Sequence, residues 1–197
     1  MQFIRSPEIE HRNEFADLLN RRGLVVYAVE IGTDQAEFAG IFRERWNGAW
    51  LLCVDPWRDM PEYDEMQYSR EEDYAIAVHT LSRWPGRVDI FRGTTAELLQ
   101  SKRLRSHAIE FCYIDADHQY EACAYDIKSM WPLIADNGIL AGHDFDEEHP
   151  GVVRAVVEFA QTYDLTIYLT REQRFKSWYT YKHDMRLDEE ILKNMAQ

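Results

Sequence analysis

Basic residues are scarce in this sequence, and so are cysteines, glycines and long apolar runs. Lys and Arg number 22 against 35 Asp and Glu, a net charge of −13. Nucleic acids are held by cationic side chains on their phosphates, so this balance argues against a nucleic-acid partner. No apolar stretch approaches the roughly 20 residues that a membrane span needs. The opening MQFIRSPEIEHRNEF also lacks the apolar centre of a secretory signal, so a cytoplasmic location without a membrane partner is expected. Cys53, Cys112 and Cys123 sit in or beside apolar segments with no CxxC or zinc-ligand spacing, and read as reduced core residues. A GxGxxG fingerprint is missing too. The first apolar run is followed by the single Gly32, and Glu30 stands where a diphosphate would be repelled. NAD and FAD are thereby disfavoured, and a ligand with a cationic or amine-bearing part fits better. There is no repeat, low-complexity tract or Pro/Gly/Ser linker, so residues 1–197 are expected to form one domain.

What is present is alternation. Short apolar runs at 24–30, 50–55, 88–92, 109–115 and 139–144 have the continuous character of strands covered on both faces. Helical patterns lie between them. Over 71–82, Tyr74, Val78 and Leu81 would share a face, and over 120–134 the stripe is Tyr120, Cys123, Ile127, Met130 and Ile134. Asn137 and Gly138 would turn the chain into the next strand. A helix carrying Phe15, Leu18 and Leu19, stopped by Gly23, precedes the first strand, and another covers about 152–162. This order predicts an α/β fold, a doubly wound Rossmann-like, mostly parallel sheet. The final runs, 165–170 and 177–182, are too close for a helical crossover and should close it as an antiparallel hairpin. The irregular, aromatic and charged stretch 57–70 reads as a lid or an excursion.

Ligands of open α/β sheets bind at the C-terminal strand ends. There the sequence places Glu30 and Gly32, then Asp55, then Thr94 and Thr95, then Asp115 with Asp117 and His118, then His143 and Asp144. Asp55 suits a ribose diol, or a turn before Pro56. Thr94 or Thr95 suits a helix N-cap, or an adenine edge. Asp117 suits helix capping. Three groups that titrate or bind cations, Asp115, His143 and Asp144, would meet on one side of a cleft with His118 beside them. His11, His107 and His149 read as surface residues. Trp57, Tyr63, Tyr68 and Trp178 are candidate walls for an acceptor pocket, with ordinary packing the default.

The series VEIGT, CVDPW and YIDADHQYEACAYDIKSMWPLIADNGILAGHDF resembles class I S-adenosylmethionine-dependent methyltransferases. It is similar above all to small-molecule O-methyltransferases reading IDADHSYE…DI…WP…GG…GHD, over about residues 24–160. The resemblance implies S-adenosylmethionine held by Glu30, Gly32, Thr33, Asp34, Asp55, Thr94, Thr95 and Asp115. It further implies a divalent metal, Mg²⁺ or Mn²⁺, on Asp115, His143 and Asp144, with His118 as general base and His143 as a second candidate base. The implied acceptor is a hydroxylated small molecule. Acidic composition, absent targeting and the apolar C-terminal hairpin leave a homo-oligomer open. Ala36 stands where a second glycine is common, Thr94 where an acid is common, and His143 where an acid or amide is usual. Imidazole shifts metal preference toward Mn²⁺, Fe²⁺ or Zn²⁺. Two alternatives remain at this point. A glycosyltransferase could use the DAD stretch to hold a metal–nucleotide-sugar complex, and an inactive cofactor-binding protein could keep the fold without the reaction.

Overall fold

In the computed structural model, residues 1–58, 69–104 and 108–182 are described. Eight strands form one sheet: β1 (Gln2–Arg5), β2 (Tyr27–Ile31), β3 (Trp50–Asp55), β4 (Val88–Arg92), β5 (Ile109–Ile114), β6 (Ile134–Gly142), β7 (Thr166–Leu169) and β8 (Trp178–Tyr181). The helices are α1 (Phe15–Arg22), α2 (Glu37–Arg45), α3 (Arg70–Leu81), α4 (Thr95–Gln100), α5 (Tyr120–Met130) and α6 (Pro150–Tyr163).

Strand order is β1-β7-β8-β6-β5-β2-β3-β4. β2 lies between β3 and β5 and runs parallel to both. The chain therefore winds outward one way through β3 and β4, then returns to continue on the other side of β2. That reversal opens a crevice above β2 and β5, where a doubly wound sheet receives its ligand. β8 runs antiparallel to both β6 and β7, as the short polar connection requires.

Period-two alternation sorts the strand side chains into two cores. Ala28, Leu51, Cys53, Phe111 and Ala141 meet Phe15, Leu19, Phe42 and Leu81 from α1, α2 and α3. Val29, Leu52, Cys112 and Leu140 meet Ile127, Met130, Val156 and Phe159 from α5 and α6. All three cysteines are buried and free.

Some expectations need correction. A strand, β1, precedes the first helix and pairs in parallel with β7 at the sheet edge. On α3 the buried residues are Asp73, Ala77 and Leu81, while Val78 is exposed. Asp73 faces inward because Gln35 and Arg70 each donate to its carboxylate at 2.9 Å. Asn137, at φ 63°, lies inside the bounds of β6 rather than before it, in a bulge after which pairing resumes at Ile139. Trp57 and Trp178 are core residues, 0% and 1% exposed, so the packing role holds for both. Tyr63, Tyr68 and His107, and all of the 57–70 stretch except its ends, fall outside the described residues.

Gly32 shows why the crevice is built as it is. Its φ is +86°, and a Cβ there would lie 1.9 Å from the Asp115 carbonyl oxygen. Glycine is required because the ends of β2 and β5 approach backbone to backbone, tied by the Asp115 amide donating to the Ile31 carbonyl at 2.8 Å. Gly32→Ala is expected to destabilise the fold by about 3 kcal/mol, through the overlap and the left-handed backbone together. A urea midpoint unchanged from wild type would refute that close approach.

Candidate functional site

A cleft of about 1110 Å³ opens at the C-terminal strand ends. Glu30, Gly32, Thr33, Asp34, Asp55, Thr94, Thr95, Asp115, His118 and Asp144 all line it, and His143 does not. The strand ends thus bring together every residue anticipated for a cofactor. His143 lies beside the cleft wall, its Nδ1 3.1 Å from Asp144 and 3.7 Å from Asp115.

One end of the cleft is built by β2 and β3. Glu30 is buried and accepts the Thr33 hydroxyl at 2.8 Å. Burial pushes its carboxyl up to about 8; the Thr33 bond opposes this, and Asp115 and Asp55 reinforce it. Asp55 accepts the backbone amides of Trp57 at 2.8 Å and Asp34 at 3.0 Å. It therefore has the turn-fixing role and still faces the cleft. Burial raises its pKa against those two amides. Arg70 bridges Asp34 at 3.0 Å and Asp73 at 2.9 Å and approaches Asp55 at 3.8 Å.

Beyond β4, Thr94 is the N-cap of α4 in a capping box, its hydroxyl accepting the Glu97 amide while Glu97 accepts the Thr94 amide. Capping is thus established for Thr94. Thr95 is 4% exposed and lines the cleft. Nearby Asp126, pushed up to about 6 by burial, also lines the cleft and was not anticipated.

The other end is built by β5 and β6. Asp115 follows β5, and burial raises its pKa, with His143 and Arg12 opposing and Asp144 reinforcing. Arg12 donates to its carboxylate at 3.2 Å. That arginine comes from a short turn before α1, far away in the sequence, and nothing local marks it. Asp144 follows β6 in a left-handed conformation, φ 56°, uncommon for a residue other than glycine. Its Oδ2 lies 2.9 Å from His118 Nε2, and its Oδ1 3.1 Å from His143. Burial opposes ionisation of Asp144, yet hydrogen bonds from His118 and His143 outweigh it and hold the carboxyl well below its usual range. The same bond to Asp144 raises the His118 pKa above its usual value. Asp117 accepts the Gln119 amide at 2.7 Å, an Asx turn leading into α5.

His149 corrects an expectation. It is the N-cap residue of α6, its side chain 19% exposed, with its Nδ1 3.1 Å from Asp146 and 3.8 Å from Asp144. Its ring centroid stands 4.2 Å from that of His118. The spacing HDFDEEH over 143–149 is the only trace of this in the sequence.

Two triplets, Asp115–His143–Asp144 and His118–Asp144–His149, each have donor atoms within 4.8 Å of one another. Among the described residues no helix is long and apolar enough to cross a membrane.

The methyltransferase domain family matches residues 15–145. No curated protein sequence matches significantly. Among solved structures, an O-methyltransferase from Bacillus cereus in complex with SAH is 16% identical, with 90% of this chain and 82% of that one covered and a TM-score of 0.64. TomG, an O-methyltransferase from Streptomyces achromogenes involved in tomaymycin synthesis, in complex with SAM, is 13% identical over 87% and 79%, TM-score 0.62. The N-methyltransferase NodS from Bradyrhizobium japonicum WM9 is 15% identical over 87% and 96%, TM-score 0.57. These likenesses show a shared fold that serves more than one acceptor atom. The family match also removes the glycosyltransferase alternative. With strand order, crevice and family in agreement over the same residues, the chain belongs to the methyltransferase domain family.

Proposed function

We propose that the chain transfers the methyl group of S-adenosylmethionine to a hydroxyl oxygen of a small molecule, assisted by a divalent cation on Asp115, His143 and Asp144. The observation that carries this reading is the convergence of Asp115, His118 and Asp144 on one cleft with Glu30 and Asp55. The B. cereus and TomG structures, with SAH and SAM, support the choice of cofactor and of oxygen.

S-adenosylmethionine supplies a methyl group on a positively charged sulfur, open to in-line attack. Glu30 and Asp55 give its end of the cleft a negative field, and Asp55 keeps lone pairs free for a ribose diol beside the two amides it accepts. The mixed oxygen and nitrogen donors of Asp115, His143 and Asp144, all within 4.8 Å of one another, fit a divalent cation. A cation held there supplies Lewis acidity that lowers the pKa of an acceptor hydroxyl. His118 takes the hydroxyl proton, and Asp144, 2.9 Å away, stabilises the imidazolium that results.

A metal-free version, with the His118–Asp144 pair as the whole proton-abstracting unit, is favoured by Arg12, which already neutralises Asp115 from 3.2 Å. Calorimetric titration of S-adenosylmethionine into chelator-treated protein, repeated with Mg²⁺ and with Mn²⁺, separates the cases. Micromolar cofactor binding is expected, with methyl transfer to a hydroxylated acceptor restored by one of the cations. Cofactor binding with cation-independent turnover selects the metal-free version. Binding without turnover on any acceptor identifies a non-catalytic cofactor-binding protein, and no binding at all refutes the proposal.

A further inference from the structure

The cluster at the end of β6 holds more nitrogen than methyl transfer uses. Asp144 is bracketed by three imidazoles, at 2.9 Å (His118), 3.1 Å (His143) and 3.8 Å (His149). Zinc-like cations bind imidazole and carboxylate at about 2.0–2.2 Å, so neighbouring ligand atoms stand roughly 3–3.5 Å apart. His118 Nε2 stands 2.9 Å from Asp144 Oδ2 and His149 Nδ1 3.8 Å from its Oδ1, so the two distances bracket that spacing on the two oxygens of one carboxylate. The two rings stand 4.2 Å apart between centroids, and the three donor atoms lie within 4.8 Å of one another.

We propose that His118, Asp144 and His149 form a second divalent-cation site, sharing Asp144 with the first triplet and selective for Zn²⁺-like and Co²⁺-like ions over Mg²⁺. Two imidazoles and one carboxylate favour borderline-soft ions, whereas Mg²⁺ demands oxygen and dehydrates reluctantly. The neighbouring triplet differs in that a guanidinium, Arg12, already sits on its Asp115. Among the described residues, ion pairs made by His118, Asp144 and His149 involve one another, His143 and Asp146. Asp146 Oδ1 lies 3.1 Å from the same His149 Nδ1 that faces Asp144, so a cation bound there would take the place of that contact. Backbone geometry holds the three in place. Gly151 lets the start of α6 approach the 118–120 backbone, since a Cβ there would lie 2.3 Å from the His118 carbonyl oxygen. A filled site would occupy the imidazole of His118, so Zn²⁺ would inhibit methyl transfer. That consequence rests on the proposed function; the binding itself does not.

Co²⁺ is the probe, because its ligand-field absorption reports nitrogen coordination directly. Chelator-treated protein is titrated with Co²⁺ in the presence of excess Mg²⁺, then with Zn²⁺, for wild type, His118→Asn, His149→Asn and His143→Asn. Asn is a favourable N-cap residue, so His149→Asn should leave α6 intact, with circular dichroism as the check. Expected are a Co²⁺ band that Mg²⁺ does not remove and Zn²⁺ does, affinity lowered at least about 100-fold in the His118 and His149 variants, and little change in the His143 variant. Absence of the band in wild type overturns the proposal. So does loss of the band in the His143 variant, whether or not the others keep it. S-adenosylmethionine binding to the same wild-type sample is measured separately, so failure of the methyl-transfer reading is distinguishable from failure of the cation site.

Discussion

Replacing Asp144 with Asn is expected to lower kcat/KM about 1000-fold while leaving the S-adenosylmethionine Kd within about threefold of wild type. The asymmetry follows from position. Asp144 follows β6 among the imidazoles, whereas the groups expected to meet the cofactor, Glu30 and Asp55, belong to β2 and β3. Asn keeps the shape and tolerates the left-handed φ of 56°, so the loop should stay in place. What disappears is the charge. His118 and His143 both bond to this carboxylate, and the residual amide can accept from only one of them well. The imidazolium formed by proton abstraction would lose its counter-charge, and one carboxylate would be lost from both donor triplets. Steady-state kinetics and calorimetry on the same preparation read both halves. Turnover within tenfold of wild type would remove Asp144 from the reaction, and a large loss of cofactor affinity would place it at the wrong end of the cleft.

How far this site was legible in the sequence depended on whether backbone topology or loop geometry placed each residue. β3 coincides with its anticipated run because a strand covered on both faces is apolar throughout and its bounds show, and β4, half-buried at the sheet edge, also keeps its anticipated bounds. Glu30, Asp55 and Asp115 then follow from topology, because parallel strands deliver their C-terminal ends to the same edge. The buried face of α3 carries Asp73 rather than Val78 because Arg70 one turn earlier and Gln35 from outside the helix donate to that carboxylate, which helical periodicity does not show. β1 was missed because four residues with little burial leave no pattern to read. Arg12 and His149 were missed for a related reason. Each reaches the site from a turn, and periodicity says nothing about the direction in which a turn points a side chain. The α6 N-terminus that carries His149 is held by contacts such as the Phe175 amide donating to Asp146 at 2.7 Å, a partner far along the chain.

Glu30→Gln should make the fold more stable at pH 8 and the cofactor site weaker, both through the same buried carboxyl. Its pKa is pushed to about 8 in the fold, against 4.5 for an ordinary glutamate. The folded state therefore binds this proton more tightly than the unfolded chain does. The corresponding stability is fully present below about pH 4.5, declines as pH rises between the two values, and is lost above pH 8. A shift of this size corresponds to several kcal/mol, roughly 1.4 per pKa unit. Gln is neutral at every pH, so urea midpoints of the variant should lack that decline and exceed wild type at pH 8. A wild-type midpoint that stays flat from pH 5 to pH 8 would refute the raised pKa. The same carboxyl explains why a destabilising acid belongs here. A cationic ligand near Glu30 favours its ionised form, so S-adenosylmethionine binding near neutral pH should release part of a proton. Calorimetry in two buffers of different ionisation heat reads that release directly, and in Glu30→Gln it should vanish together with at least about tenfold of the affinity. The cofactor's charge then replaces the proton, and the strain that burial places on an empty site becomes selectivity for a positively charged ligand.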